Sequence, residues 1–480
     1  MADQLAACWL PAASAPALHG LARSGVVFES AYCPSPLCAP SRAALLTGRL
    51  PSQTGVYDNA AELRASEPTF VHALRAAGYD TCLSGKMHFV GPDQLHGFEE
   101  RLTTDVYPAD LDWTPDWRLP LTERLPWYHT MESVLTPGEC AASMQMDYDE
   151  EVAHRAVRKL RDLARDRSRP FFLCVSFTNP HDPWEIRPEH WARYADFDLP
   201  AVGLLPRSEA DPHSLRLRDM AGIDDVSLSD DQVRRARHGY FAAISYVDDL
   251  IGSVLAALDA TGQRDETVVI FTADHGEMLG ERGLWYKMGF FEPSARVPLI
   301  VSAPGRLGAR RVADPVSLLD VGPTLLSLCG LDDGRSLLGA PPSDVAVEYL
   351  AEGVRSPAVM LRRGRFKYVW CANDPEQLFD LDADPHELVN RAAEQPELCA
   401  GFSAEVARRW DMGALGAAVL RSQEDRRVVV EALSRGRRPR WAFVPDADAP
   451  FVEGKDDLYE FQRRARLDAP IGRSVTRVRP

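Results

Sequence analysis

Two hydrophobic periods alternate along the chain. Apolar residues recur every three to four positions through Asp147–Arg167 and Asp231–Thr261, which predicts long amphipathic helices, with shorter ones over Pro68–Ala77 and Leu318–Cys329. Between them lie short apolar runs of strand length, at Tyr79–Ser84, Phe171–Phe177, Thr267–Thr272 and Val297–Ala303. This alternation predicts an α/β fold, a large parallel or mixed sheet sandwiched by helices. Functional side chains are then expected where strands end and loops begin. After about residue 340 the pattern changes. Ala358–Arg362 and Phe366–Trp370 flank Arg363-Gly364-Arg365 and predict an antiparallel hairpin, followed by a helix over Gln395–Trp410. We divide the chain into a main α/β domain (1–340), a smaller α+β subdomain (341–435) and an extended arm (436–480) rich in Arg, Pro and Asp, expected to take part in oligomerisation.

The composition supports a globular enzyme and removes other classes. With 480 residues, 45% of them hydrophobic, there is ample material for a core and no case for disorder. Fifty-four Lys and Arg against 70 Asp and Glu leave a net charge of −16, which repels nucleic-acid backbones. No apolar run approaches the roughly 18–20 residues of a membrane span. Nine cysteines without a Cys-x-x-Cys pair argue against a disulfide framework and for reduced thiols. The start lacks a basic n-region, and Asp3 interrupts any apolar leader, so the cytoplasm is the expected compartment.

Chemistry concentrates first in Cys33-Pro-Ser-Pro-Leu-Cys38-Ala-Pro-Ser-Arg42-Ala-Ala-Leu-Leu-Thr47-Gly-Arg49. From Ser41 onward it reads as a helix, which places Cys38 just outside a helix N-terminus. Unpaired N–H groups and the positive dipole end favour an anion or a lowered thiol pKa there. On these residues alone two readings stay open: a nucleophile with Arg42 as anion clamp, or a buried cysteine before an ordinary helix. A Cys-x5-Arg phosphate loop does not fit, because Arg42 stands four residues after Cys38 and no glycines form a cradle.

The wider spelling, Cys38-x-Pro40-Ser41-Arg42 followed by Leu46-Thr47-Gly48-Arg49, resembles the signature of the formylglycine-dependent sulfatase family, within the alkaline-phosphatase-like superfamily. Further similar segments follow in that family's order: Asp3-Gln4, Gly85-Lys86-Met87-His88, Asn179-Pro180-His181-Asp182-Pro183, Thr272-Ala273-Asp274-His275-Gly276-Glu277 and Trp285-Tyr286-Lys287. Singly, His88 and His275 read as ordinary satisfied histidines, Lys86 and Lys287 as solvated, and Asp274-His275-Gly276 as a turn. Their joint order carries the resemblance. It implies that a formylglycine-generating enzyme oxidises Cys38 to formylglycine, whose hydrate is the nucleophile. It implies Asp3, Cys38, Asp274 and His275 as ligands of a divalent cation. Oxygen-rich ligands suit Ca²⁺, with Mg²⁺ or Mn²⁺ as alternatives, better than zinc. Arg42, Lys86, Lys287 and His181 are implied as sulfate clamps. His181 is further implied as the acid for the leaving alcohol, and His88 as the group that helps return the sulfated hydrate to the aldehyde.

Loop segments narrow the resemblance to the choline-sulfatase branch. They are Gly55-Val-Tyr-Asp58-Asn59-Ala60, Gly91 through Leu102, Asp105-Val-Tyr-Pro-Ala-Asp110-Leu-Asp-Trp113, Trp127-Tyr128-His129 and Asp384-Pro385-His386-Glu387-Leu388. A quaternary ammonium has no N–H to donate and is held by aromatic faces and carboxylates, at roughly 0.5–2 kcal/mol per ring. The resemblance implies Trp113 as the aromatic wall, with Asn59, Glu348, Glu352 and the arm residue Asp457 on the polar side, and a homo-oligomer (dimer or tetramer) in which the arm closes a neighbouring site. The implied substrate is a small sulfate ester, choline-O-sulfate. Two alternatives remain: a hydrolase of another sulfate, phosphate or phosphonate monoester, and a weakened binding protein for sulfated osmolytes. One departure stands out. The family has an apolar strand leading into the acidic pair, whereas here Asp3 follows Met1-Ala2 directly, so this first strand is missing and Asp3 is expected near a frayed terminus.

Overall fold

The computed structural model describes residues 1–120, 123, 129–331, 336–339, 344–437 and 440–445. In chain order its main elements are strand β1 (Val26–Tyr32), helix α1 (Cys38–Thr47), strand β2 (Asp80–Gly85), helix α2 (Met144–Arg165), strand β3 (Phe171–Ser176), helix α3 (Asp230–Ala260), strands β4 (Val269–Thr272), β5 (Arg296–Ser302), β6 (Asp344–Tyr349), β7 (Ala358–Arg363), β8 (Phe366–Cys371) and β9 (Asp374–Asp380), and helices α4 (Pro396–Arg409) and α5 (Met412–Ser434).

The predicted periodic stretches are the helices and strands of an α/β sandwich. Helix α3 starts at a capping box, in which the Ser229 hydroxyl accepts from Gln232 N and the Gln232 side chain returns to the Ser229 backbone. By length and composition it is apolar enough to cross a membrane, contrary to the sequence reading. It is nonetheless a core helix, with Tyr240–Val247 buried throughout.

The sheet is mixed and built in two parts. In one, β1 pairs antiparallel with β5, and β5 antiparallel with β4, while Arg310–Val312 and Val316–Ser317 lie parallel to β1. In the other, Glu100–Arg101, β2 and β3 are parallel. The parts meet at one residue, Ala2, which bridges Phe177 and Ala273 in parallel. The frayed terminus expected for Asp3 is not found. Asp3 is fully buried, and its N–H donates to Phe177 O at 3.1 Å. The ends of β3 and β4 offer backbone partners on both sides, so even a two-residue lead is fixed.

The C-terminal sheet is the antiparallel meander β6-β7-β8-β9. One face packs on α4, where Tyr368 and Phe402 stack at 5.2 Å, and the other on the main core through Val347, Tyr349 and Met360. Lys367 welds the junction, with its ammonium 2.8 Å from Glu292 and 2.7 Å from Glu387. Helix α5, absent from the sequence reading, is capped by Asp411 and buries Leu415 and Val419. Residues 446–480, with Asp457, and Trp127-Tyr128 lie outside the described residues.

Candidate active site

Four loops deliver the reactive groups to one end of the sheet. Asp3 and Gln4 follow the Ala2 bridge, Cys38 opens α1, Lys86 follows β2, and Asp274-His275 follow β4. Two glycines permit the close approach. A Cβ on Gly85 (φ +112°) would stand 2.0 Å from Ser176 O, and one on Gly276 would stand 2.0 Å from Pro293 O. Non-glycine residues are also forced into the left-handed region here, at Gln4 (φ 63°), His88 (58°), Tyr286 (70°) and Met288 (77°). Such strain collects at sites whose surroundings over-determine the backbone.

Asp3, Cys38, Asp274 and His275 are all buried, and one ligand atom from each lies within 4.8 Å of the others. Asp3 Oδ1 makes no hydrogen bond. Cys38 Sγ is 3.1 Å from His275 Nε2 and 3.7 Å from Lys86 Nζ. Burial opposes ionisation of the thiol, but the charges of Lys287, Lys86 and His275 outweigh it and hold its pKa well below the usual value. For Asp3, too, burial is overcome by Lys86, whose ammonium sits on Oδ2, and the carboxyl stays ionised. Two carboxylates, an imidazole and an oxidised Cys38 make a hard, oxygen-dominated donor set, and the orphaned Asp3 oxygen is a free ligand position. The residues fit a divalent cation.

Arg42 is buried beside the carboxylates. Its Nε donates to Asp274 Oδ2 at 2.8 Å, and Nη1 to Lys86 O at 2.6 Å and Ser176 Oγ at 2.9 Å; Nη2 lies 3.7 Å from Asp3 Oδ2. Nε is held by Asp274 and Nη1 by Lys86 O and Ser176, while Nη2 makes no hydrogen bond and remains available to an anion beside Asp3.

The lysines and His181 line the other side of Cys38. Lys287 Nζ donates to Gln4 Oε1 and lies 2.9 Å from His181 Nε2, which also meets Tyr107 Oη at 3.1 Å. His181 Nδ1 reaches Asp182 O at 2.8 Å; this contact assigns the proton to Nδ1 and leaves Nε2 as acceptor. Burial and the Lys287 charge lower the His181 pKa to about 4, so at rest it is neutral. Asp149 of α2 holds this loop from behind by accepting from Thr178 N (2.6 Å) and Asn179 N (2.8 Å).

Beyond the sulfate end stands an aromatic group. Tyr107 packs edge-on to Trp113 at 5.6 Å, His88 lies 5.2 Å from Tyr107 and 5.8 Å from Trp113, and Lys86 Nζ sits 4.1 Å over the Tyr107 ring. His88 is one ring away from the Cys38 cluster, and neither of its nitrogens has a hydrogen-bond partner. Asn59 Oδ1 accepts from Ala39 N at 3.0 Å and thereby caps the first turn of α1 beside Cys38.

The two candidate glutamates separate. Glu348 is bonded to Ser52 N (2.7 Å), Ser52 Oγ (2.6 Å) and Trp410 Nε1 (2.6 Å), a structural anchor between α5's neighbourhood and the main domain. Glu352 is fully buried with Oε2 unbonded; burial and Asp58 push its pKa to about 8, with the charges of Arg426 and Lys287 acting the other way. Arg426 of α5 grips Asp58 through two bonds of 2.6 and 2.7 Å and reaches Thr114 Oγ1 at 3.2 Å. In the same helix Gln423 Oε1 accepts from Trp117 N at 2.9 Å, so α5 pins the loop that carries Trp113.

Gln4, Tyr107, Asp182 and Arg426 were not singled out by sequence reasoning. Tyr107 and Asp182 lie inside segments noted only for resemblance, and nothing in the local sequence marks Arg426, whose partner is 368 residues away.

This fold and this site define a sulfatase. The chain belongs to the sulfatase family: the family model, described as Sulfatase, matches residues 4–331. It is 49% identical over 457 residues to the choline-sulfatase of Rhizobium meliloti (strain 1021), covering 90% of this chain and 89% of that protein. It is 28% identical to arylsulfatase K of Danio rerio, over 80% of this chain and 76% of that one. Its fold matches the phosphonate monoester hydrolase of Agrobacterium radiobacter with a TM-score of 0.69 at 24% identity, covering 87% and 95% of the two chains. The protein is a sulfuric ester hydrolase.

Proposed function

We propose that the enzyme hydrolyses choline-O-sulfate to choline and sulfate. The observation that carries this reading is the aromatic pair Tyr107 and Trp113 beside Lys86, whose ammonium sits 4.1 Å over the Tyr107 ring, with Glu352 as a buried carboxyl that has an unbonded oxygen. A carboxylate and an aromatic face are what a quaternary ammonium needs. The 49% identity to a choline-sulfatase supports the same substrate.

The chain's own residues account for binding and proton movement. Lys86 and Lys287, whose charges both act on Cys38, neutralise the sulfuryl oxygens. Asp182 O fixes the His181 tautomer with Nε2 facing Lys287. A bound sulfate ester brings negative charge to that nitrogen and raises its proton affinity, so Nε2 carries the proton given to the departing choline oxygen. Oxidation of Cys38 by a formylglycine-generating enzyme supplies the nucleophilic oxygen. Asp3, Asp274, His275 and residue 38 would hold a divalent cation, with Ca²⁺ favoured by the oxygen donors, and the cation supplies Lewis-acid stabilisation of charge on oxygen. Arg42 keeps both carboxylates aimed. Nine free cysteines suit a reducing cytoplasm, and the arm (436–480) serves assembly of a homo-oligomer.

The test is hydrolysis by protein co-produced with the modifying enzyme, read as sulfate release from choline-O-sulfate and as 4-nitrophenol release from 4-nitrophenyl sulfate and a 4-nitrophenyl phosphonate monoester. We expect the highest kcat/KM for choline-O-sulfate. A preference for either neutral-headed ester overturns the assignment.

A further inference from the structure

Behind His181 lies a buried carboxylate. The Asp182 side chain folds back on the ring of its own neighbour, with Oδ1 3.2 Å from His181 Nδ1. The Asp182 backbone oxygen receives the proton of that nitrogen at 2.8 Å. Nδ1–H therefore faces a carbonyl and a carboxylate at once, while Nε2 faces Lys287. A carbonyl is enough to fix the tautomer. What the carboxylate adds is a full negative charge beside an imidazole that must become an imidazolium before it can deliver a proton.

The carboxylate is itself held from several directions. Ser133 Oγ donates to Oδ2 at 2.9 Å, His129 Nδ1 lies 3.6 Å from Oδ2, and Gln4 Nε2 donates to Oδ1 at 3.5 Å. Gln145 of α2 donates to the Asp182 backbone oxygen at 2.6 Å and anchors the main chain. Burial opposes ionisation of the carboxyl, but His181, His129 and Lys287 outweigh it and hold its pKa well below the usual range. The ring it serves is confined as well. His129 stacks on His181 at 5.6 Å and on Tyr286 at 4.5 Å, and Tyr107 meets His181 edge-on at 5.9 Å. Burial and Lys287 keep His181 neutral at rest, with Asp182 acting the other way. A bound anionic ester offsets the Lys287 charge, and the balance at the imidazole then turns to the carboxylate.

We propose that the Asp182 side chain is the positioning residue that makes His181 an acid: Oδ1 aims the ring beside Nδ1–H and stabilises the imidazolium formed when Nε2 takes a proton from solvent. This rests on the reading of His181 as the group that protonates the leaving oxygen. As the attacking oxygen bonds to sulfur, the bond from sulfur to the alcohol oxygen breaks. Its electron pair moves onto that oxygen, which takes the Nε2 proton. His181 returns to its neutral form with Nδ1–H still facing Asp182, which neither gains nor loses a proton.

Asp182→Asn keeps the shape of the side chain and removes its charge. The test compares it with Ser133→Ala, His181→Gln and the D182N/H181Q double variant, all co-produced with the modifying enzyme. The substrates are 4-nitrophenyl sulfate, phenyl sulfate and choline-O-sulfate, whose leaving oxygens need a proton increasingly in that order. D182N should lower kcat on the order of 100-fold for choline-O-sulfate and about 10-fold for phenyl sulfate, but at most about threefold for 4-nitrophenyl sulfate, with KM within about twofold throughout. S133A should show a smaller loss graded in the same order. Added to H181Q, D182N should cost less than about twofold more, because it acts through that ring. An even loss over the three esters, no loss, or a full further loss in the H181Q background overturns the proposal. If D182N shows no cooperative unfolding transition, S133A decides: a graded loss supports the proposal, and an even or absent one overturns it. If H181Q loses all three esters evenly, His181 is not the acid and both readings fall. If H181Q is graded and D182N is not, only the role of Asp182 falls. The two aryl esters carry the comparison by themselves if choline-O-sulfate is turned over poorly, so this proposal and the substrate assignment fail separately.

Discussion

Replacing Glu352 by Gln removes a charge and keeps the shape of the side chain, so it isolates the role of the buried carboxylate. A quaternary ammonium about 5 Å from an ionised Glu352 gains roughly 3.3 kcal/mol at an effective dielectric of about 20. The group holds its proton up to about pH 8. Ionising it at pH 7 therefore costs about 1.4 kcal/mol, leaving roughly 1.9 kcal/mol, or about 25-fold in KM. At pH 9 that cost vanishes, and E352Q should raise KM on the order of 200-fold. In the unaltered enzyme KM for choline-O-sulfate should accordingly fall as pH rises from 6 to 9, because binding expels the Glu352 proton. The stability sign is opposite. A carboxyl with a raised folded pKa favours the folded state most below its unfolded value, near 4.5, and that contribution is lost as pH rises towards 8. E352Q should remove this loss. The assay is initial-rate sulfate release at pH 6, 7, 8 and 9 from choline-O-sulfate and 4-nitrophenyl sulfate. A flat KM profile in the unaltered enzyme, or an equal KM increase for both esters in E352Q, refutes the assignment of Glu352 to the cationic end.

Three further substitutions probe other parts of the site. Trp113→Leu should raise KM for choline-O-sulfate by about 2- to 30-fold, the loss of roughly 0.5–2 kcal/mol of cation–π attraction, with little change for 4-nitrophenyl sulfate. Arg42→Lys cannot reach Asp274, Lys86 O and Ser176 at once, so metal affinity measured by Mn²⁺ titration should weaken about 10- to 100-fold while the far-UV spectrum is kept. Lys367→Met leaves Glu292 and Glu387 buried without their cation and should cost about 3–5 kcal/mol in urea unfolding.

The local pattern was sufficient for the elements whose sequence satisfies them by itself. Helix α3 carries its own capping box and apolar stripe, β3 is an unbroken run of apolar residues, and Gly364 turns the β7–β8 hairpin with positive φ. The site residues were legible as a set because each follows a strand end or opens a helix, at Lys86, His181, Asp274 and Cys38. Their division of labour was not. Arg42 reads as an anion clamp from its motif, and only the fold shows that its guanidinium also bonds Asp274 and lies beside Asp3, groups 232 and 39 positions away. Glu348 and Glu352 lie four residues apart and were equivalent on paper. Only the packing sends one to Ser52 and Trp410 and leaves the other with an unbonded oxygen. The short start read as a frayed end, because a sequence does not show that β3 and β4 hold open a place on both sides of Ala2. Sequence by itself thus determined what chemistry the residues carry and which elements bear them, since both are set by neighbours along the chain. Tertiary structure alone decided which charges meet and which are left unpaired, because those depend on partners hundreds of residues apart.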